Sequence, residues 1–402
     1  MTPATRQRAH SLTVLVLAVA LVAINLRPGA TSVGPVLEEL RTGLSMGAGA
    51  AGVLTALPPL CFGLGGAVAV ALARRIGLTG GIALGLVAAT VAIVLRVVIG
   101  SEVLFLVLTV VALLAMALGN VLVPAWIKHD GAGLEVTLMT IFGTGLVAGG
   151  SLGALVTAPV ADAEGSGGWR VALGAWGVLL ALALPIWIWL AVRERGALAD
   201  RSAPMRPPSG RIASSPTAVA MTALFGMQSM HAYIQFGWLP QIYRDSGLSA
   251  THAGALQALV AGVGIVGSLV MPTVAARSRS LTPYILAFGV LLVGGYLGLL
   301  LAPTTLPWLW AVLLGVSGFA FPLTIALITA RTRDPGITAQ LSGFVQPVGY
   351  LIAAMGPFAV GLIHQATGGW EVVLVILMLT AAPFVWAGLR VARPVYVDDE
   401  LA

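Results

Sequence analysis

Long apolar runs, separated by short polar punctuation, occupy almost the whole chain. Twelve can be marked, near residues 11–37, 48–72, 80–99, 103–127, 136–160, 170–192, 216–243, 250–276, 282–302, 307–330, 338–364 and 371–392. Each is long enough to cross a hydrocarbon core of roughly 30 Å as a helix. The pattern predicts an all-α membrane protein with twelve transmembrane helices. Composition sharpens this: 58% of the 402 residues are hydrophobic and 9% are charged, against about 25% charged in soluble domains. Arg6 and Arg8 ahead of an apolar Leu12–Ile24 resemble a signal peptide. No small-residue cleavage site follows, so this run is read as a retained span.

Charge sets an expected orientation. With the N-terminus cytoplasmic, sixteen of the 21 basic residues fall on inside segments and three (Arg41, Arg170, Arg244) on outside ones. That split follows the positive-inside rule and agrees with an even number of spans. Both termini are expected in the cytoplasm, with the chain in the inner (cytoplasmic) membrane. Arg193 to Ser215, rich in proline and arginine, reads as a linker between two halves. The expected division is 1–192, 193–215 and 216–402. The halves also repeat each other. Ala51-Gly52…Leu57 matches Ala253-Gly254…Leu259, Gly43-Leu44-Ser45 matches Gly247-Leu248-Ser249, and Gly167-Gly168-Trp169 matches Gly368-Gly369-Trp370. An offset that stays between 201 and 204 residues points to a parallel repeat about an axis along the membrane normal.

Other function classes find little support. The net charge of +6 is spread over short loops, without a basic stripe, so nucleic acid is not an expected partner. Cys61 is the only cysteine, which excludes an internal disulfide and a cysteine metal site. Gly47-Ala-Gly49-Ala-Ala-Gly52 and Gly262-Val-Gly264-Ile-Val-Gly267 fit a dinucleotide fingerprint, but neither follows a predicted strand. They read as small residues that let membrane helices pack closely. No nucleophile–base pair, nucleotide-binding domain or docking domain is evident. An enzyme, an ATP-driven pump and a receptor are therefore disfavoured, and no cofactor or metal is implied.

The chemically unusual stretch is Asn25-Leu-Arg27-Pro28-Gly-Ala-Thr31-Ser32-Val-Gly34-Pro35. Arg27 lies about 22 Å along the first span at 1.5 Å per residue. A guanidinium at such depth costs about 2.5–3.5 kcal/mol on insertion scales, so it faces protein or water. Pro28 has no N–H, which leaves the Ile24 carbonyl without its helical partner. A buried cation, a broken helix and small hydroxyls together suggest an anion site; a helix-packing arginine is the alternative. None of the 15 acidic residues lies within a span, whereas proton-driven exporters of cations normally need a buried carboxylate.

Two six-span halves joined by a basic linker resemble the major facilitator superfamily. Asn25-Leu-Arg27-Pro28 with Thr31-Ser-Val-Gly34-Pro35, then Leu57-Pro58, Cys61-Phe62-Gly63, Leu72-Ala-Arg74-Arg75-Ile-Gly77, Gly119-Asn120 and Pro124 resemble its cyanate and nitroimidazole transporter branch. Arg74 stands where the superfamily's loop motif usually has an aspartate, so the usual gating pairs do not carry over. The resemblance implies two pseudo-symmetric six-helix bundles, a monomer in the lipid bilayer, and alternating access of a central site to a small anionic or nitro-bearing solute. Export of neutral or multidrug compounds, coupled to protons, is the alternative. In such a fold the first, fourth, seventh and tenth spans line the cavity. The candidate substrate-binding residues are Arg27, Asn25, Thr31, Asn120, His231, Gln235, Gln346 and Tyr350. His231, on a stripe with Gln228 and Gln235, is the candidate proton carrier. Arg96, near a span end, is expected to snorkel to the headgroups.

Overall fold

A computed structural model describes residues 12–131, 133–165, 167–194 and 212–401. The expected linker falls largely on 195–211, which lie outside the described residues, as does the side chain of Arg74. Among the described residues the secondary structure is helical, without a strand. Eleven segments there are long and apolar enough to cross a membrane. They are Leu12–Leu44, Ala48–Gly66, Arg75–Val98, Glu102–Asp130, Glu135–Glu164, Gly168–Arg193, Ala250–Arg277, Thr282–Leu301, Pro307–Ala330, Gln340–Thr367 and Glu371–Ala392.

The remaining expected span, the seventh in order, is the 30-residue helix Pro216–Asp245. It has the length but not the apolarity, because Gln228, His231, Gln235 and Gln241 interrupt it. All four are buried. Polar side chains inside a membrane belong against protein or a wet cavity, so this helix sits at the centre of the bundle. Its start is well defined. Ser215 accepts a hydrogen bond from the Ala218 N–H at 3.0 Å, and Pro216 occupies the first turn, where its missing N–H does no harm.

The helix breaks follow the chemistry of glycine and proline. The second and third spans, within Ala48–Val98, are two helices that meet at a sharp break at Gly77, where φ is 78°, a conformation other residues adopt at a cost. The first span is broken as Pro28 requires. A helix over Leu12–Asn25 gives way to a turn at Pro28–Thr31, a 3-10 turn at Gly34–Val36, and a last helix at Leu37–Leu44. The fifth span fits this break with a row of glycines. A Cβ on Gly149 would lie 1.9 Å from the Ile24 carbonyl oxygen, and one on Gly153 would lie 2.6 Å from Thr31 Oγ1.

The sequence repeat has a spatial counterpart. Gly34 of the first span lies against Gln257 of the eighth, and Gly237 of the seventh lies against Thr55 of the second. Thr55 and Gln257 occupy matching places in the repeated Ala-Gly-x-Leu segments, so the two contacts exchange under the pseudo-two-fold operation. With twelve crossings, the first span starts and the last span ends on the same face, here called the terminal face; the opposite one is the distal face.

Candidate functional site

A cavity of about 290 Å³ is walled by the first, fifth, seventh, eighth, tenth and eleventh spans. Arg27 and Thr31 lie on its wall, together with Gln228, Ser229, Tyr233, Gln235 and Phe236 of the seventh span and Tyr350 of the eleventh. The Pro28 break brings Arg27 here. Gly150 of the fifth span packs beside it, where a Cβ would stand in ordinary contact, 3.5 Å from Arg27 Cβ. The guanidinium carbon sits 5.8 Å from the centre of the Phe62 ring, a cation–π contact. Tyr233 and Tyr350 share the wall with it.

Among the described residues, no carboxylate pairs with Arg27. Arg27 is also the one charged side chain among the described residues of the cavity wall. A guanidinium with free donor directions, in a space lined by Leu146, Val147, Phe236, Leu314 and Phe321, is a strong attractor for an anion. Inside a low-dielectric site such a charge-assisted, two-point hydrogen bond is worth more than it is in water.

The structure brings together four of the eight candidate residues: Arg27, Thr31, Gln235 and Tyr350. The other four point elsewhere. Asn25 donates to the Leu21 carbonyl at 2.9 Å, and Asn120 to the Met116 carbonyl at 3.4 Å. Gln346 donates to Ser342 Oγ at 2.8 Å. These are bonds within single helices, one turn back. His231 is fully buried off the cavity wall, with Nδ1 3.0 Å from the Tyr296 hydroxyl and Nε2 3.1 Å from Thr380 Oγ1.

The reason is angular. Successive residues advance about 100° around a helix. The wall of the seventh span is set by Gln228, Ser229, Ala232, Tyr233, Gln235 and Phe236, a face centred about 60° from Gln228. His231 then falls about 120° from that centre, on the flank. Gln235 sits at the margin and is shared, its Nε2 lying 3.4 Å from the Tyr296 hydroxyl. Reading polar residues alone found the edge of the face. The aromatic pair Tyr233 and Phe236, one turn on from Ser229 and Ala232, was the missing signal.

Arg96 departs from expectation. It does not reach the headgroups but is fully buried, with Nη1 donating to Thr109 Oγ1 at 3.3 Å and its carbon 5.5 Å from the Phe105 ring centre. The third span meets the fourth along this face, so the side chain that would otherwise snorkel is covered by protein.

At the distal face the cavity is shut by polar links between the two sides of the repeat. Arg244 grips Glu39 with two bonds of 2.8 and 2.7 Å, and also donates to the Pro35 carbonyl at 3.4 Å. Thr251 donates to Asp162 at 3.2 Å. Gly52 and Gly361 let the second and eleventh spans touch backbone to backbone. The fifth and eighth spans meet where Gly254 approaches the Ala154 carbonyl and Gly262 approaches Ser151. Nearer the terminal face the same two spans part, and nothing lies within 4 Å of where a Cβ would stand on Gly143 or Gly264. Both glycines border the cavity, so its opening is on this side.

Comparison with known proteins agrees with this architecture. The family model for the Major Facilitator Superfamily matches residues 15–357. An uncharacterised transporter of Bacillus subtilis, YycB, is 32% identical over 95% of this chain and 94% of its own length. The 2-nitroimidazole transporter of Escherichia coli is 30% identical over 96% of this chain and 97% of its own. The cyanate transport protein CynX of Escherichia coli is 29% identical over 89% of this chain and 91% of its own. The crystal structure of a D-xylose-proton symporter superposes with a TM-score of 0.77 over 97% of this chain and 99% of that one, at 14% identity, a likeness of fold.

Proposed function

The chain belongs to the major facilitator superfamily of membrane transporters, and on that premise we propose that it carries a small anionic or nitro-bearing solute. One observation carries the reading. Arg27 projects into the cavity as its one charged group, without a carboxylate partner among the described residues. A fixed cation deep in a membrane costs stability, and a site that keeps one unpaired gains from a guest that pairs with it. The volume of about 290 Å³ sits at the small end of ligand pockets, about 300–1,000 Å³. The guest is therefore a small molecule whose negative or nitro end meets Arg27, Thr31 and Tyr233, while its body lies against Phe236, Phe321 and Leu314. Gln228, Gln235 and Tyr350 complete the polar rim. Two relatives, named for transport of cyanate and of 2-nitroimidazole, fit the same chemistry.

The transport cycle follows as alternating access between two halves, on either side of residues 195–211. The described conformation is the one open at the terminal face, which the distribution of basic residues assigns to the cytoplasm. Export of neutral or cationic drugs is the weaker reading, since no carboxylate lines the cavity among the described residues. His231, held by Tyr296 and Thr380 away from the wall, is not placed to hand a proton to the guest in this conformation.

Binding is the direct test. Purified protein titrated with nitrobenzoate, 2-nitroimidazole and cyanate should bind each at least about tenfold more tightly than matched amides or alcohols, the equivalent of one charge-assisted hydrogen bond. Equal affinity for the neutral analogues would contradict the assignment.

A further inference from the structure

We propose that Gln257 is the pin that holds the distal face shut, one side chain serving two neighbouring carbonyls that prolines have stranded in opposite halves of the repeat. The proposal rests on the alternating-access reading above and adds a residue that sets its balance. The first carbonyl belongs to Thr31 in the first span. Its helical partner four residues on would be the N–H of residue 35, and Pro35 has none. The second belongs to Phe236 in the seventh span, where Pro240 removes the partner in the same way. Gln257 of the eighth span donates to both from one nitrogen, at 3.1 Å to the Thr31 carbonyl and 3.0 Å to the Phe236 carbonyl. Its two amide hydrogens are thereby both used.

The site is built to bring these groups together. Gln257 is fully buried. Gly34 lets the first span approach, since a Cβ there would stand 2.3 Å from the Phe236 carbonyl oxygen and 3.2 Å from Gln257 Oε1. Just beyond, Arg244 ties the Pro35 carbonyl and Glu39. The pseudo-symmetric place is held by Thr55, which bonds back to its own helix at Ala51 and Gly52 instead of crossing. The crossing bond thus exists once, not twice.

The energetic consequence is specific to one conformation. With the distal face closed, the Thr31 carbonyl is buried and would be orphaned without Gln257, whereas the Phe236 carbonyl is only partly buried. When the face opens, the bond to Thr31 must break, and water can take its place at little cost. The bond to Phe236 lies within one half and survives. Gln257 therefore stabilises the closed state selectively, and removing its amide should shift the equilibrium toward the distally open state.

The test uses the full chain in nanodiscs, with spin labels on Thr42→Cys and His252→Cys across the distal face and Cys61→Ser in the background. Distance distributions are read by pulsed dipolar spectroscopy, without substrate. Gln257→Leu is expected to raise the ratio of parted to closed distances about tenfold, the effect of one orphaned buried carbonyl. Gln241→Leu, which removes a bond to Asp245 within the same helix, should leave the distribution at that of the parent. Pro35→Ala, which returns an N–H to the Thr31 carbonyl, should shrink the effect of Gln257→Leu in the double variant. Glu39→Gln is the opening control. If it parts the labels and Gln257→Leu does not, the pin is overturned while alternating access stands. If no variant parts them, both fall. An equal shift from Gln241→Leu, or full additivity with Pro35→Ala, also overturns the pin.

Discussion

Arg27 owes its reach to a neighbour that cannot donate a hydrogen bond. Pro28 ends the helix at Asn25, and the turn that follows swings the guanidinium toward the cavity while the fifth span closes over the broken backbone. At this scale two outcomes are expected. Arg27→Lys keeps the charge but loses the planar pair of donors, so it should weaken binding of a carboxylate or nitro group by about tenfold; Arg27→Ala should weaken it more. Isothermal titration of the two variants distinguishes charge from geometry. Gly149→Leu should lower expression and melting temperature sharply, because even its Cβ would stand 1.9 Å from the Ile24 carbonyl oxygen and no side chain can yield there. A cost above about 3 kcal/mol is expected for such overpacking with backbone displacement. A Gly149→Leu protein as stable as the parent would show that the fifth span does not brace the break.

Among the elements, the short C-terminal helix Val397–Glu400 has the clearest pH signature. Asp398 accepts hydrogen bonds from the N–H groups of Arg333 and Asp334, both at 3.0 Å. Glu400 accepts from the Thr217 N–H at 2.9 Å, the Thr217 hydroxyl and the Ser215 hydroxyl. Partial burial works to raise both carboxyl pKa values, but these donors outweigh it and hold both below the ordinary carboxylate range, with Arg333 and Arg390 assisting. A depressed folded-state pKa means the clasp is fully formed above the unfolded carboxylate value of about 4 and is lost as pH falls through the lower folded one. Hydrogen-exchange protection factors at residues 397–401, referred to the intrinsic rate at each pH, should therefore be high at neutral pH and fall as the pH is lowered below about 4. Glu400→Gln should exchange faster at neutral pH and show less of that change. The elements also show how much could be read beforehand. Apolar runs located eleven spans among the described residues, and length located the seventh, because a membrane sets a minimum length for all of them. The proline break was equally legible, since a missing N–H has a fixed consequence. The wall of the cavity was legible only in part. Periodicity says which residues share a face, but the angle at which a helix meets its neighbours decides which face meets the cavity. Gln235 and His231 share a stripe, yet one edges the wall and the other bonds Tyr296 and Thr380. Gln257 was invisible as a functional residue because its two partners are backbone carbonyls from distant parts of the chain.

For the whole molecule, the balance lies between a distal face tied by Arg244–Glu39, Thr251–Asp162 and Gln257, and a terminal face where the fifth and eighth spans part. Few ties carry the closure, so Glu39→Gln should shift the conformational balance measurably. An exposed pair contributes about 0.2–1 kcal/mol, and this half-buried, two-bond pair should exceed it, so about a fivefold change is a lower expectation. Accessibility of a distal-face cysteine to an impermeant reagent measures that shift. The central claim is that an unpaired cation recruits an electron-rich solute, and flux tests it most directly. Purified protein and its Arg27→Ala variant would be reconstituted in proteoliposomes, and movement of cyanate and of a small nitroaromatic followed in both. The expected result is protein-dependent flux that competes with other small anions and falls by at least about tenfold in the variant. Undiminished flux in Arg27→Ala would contradict the role assigned to this guanidinium.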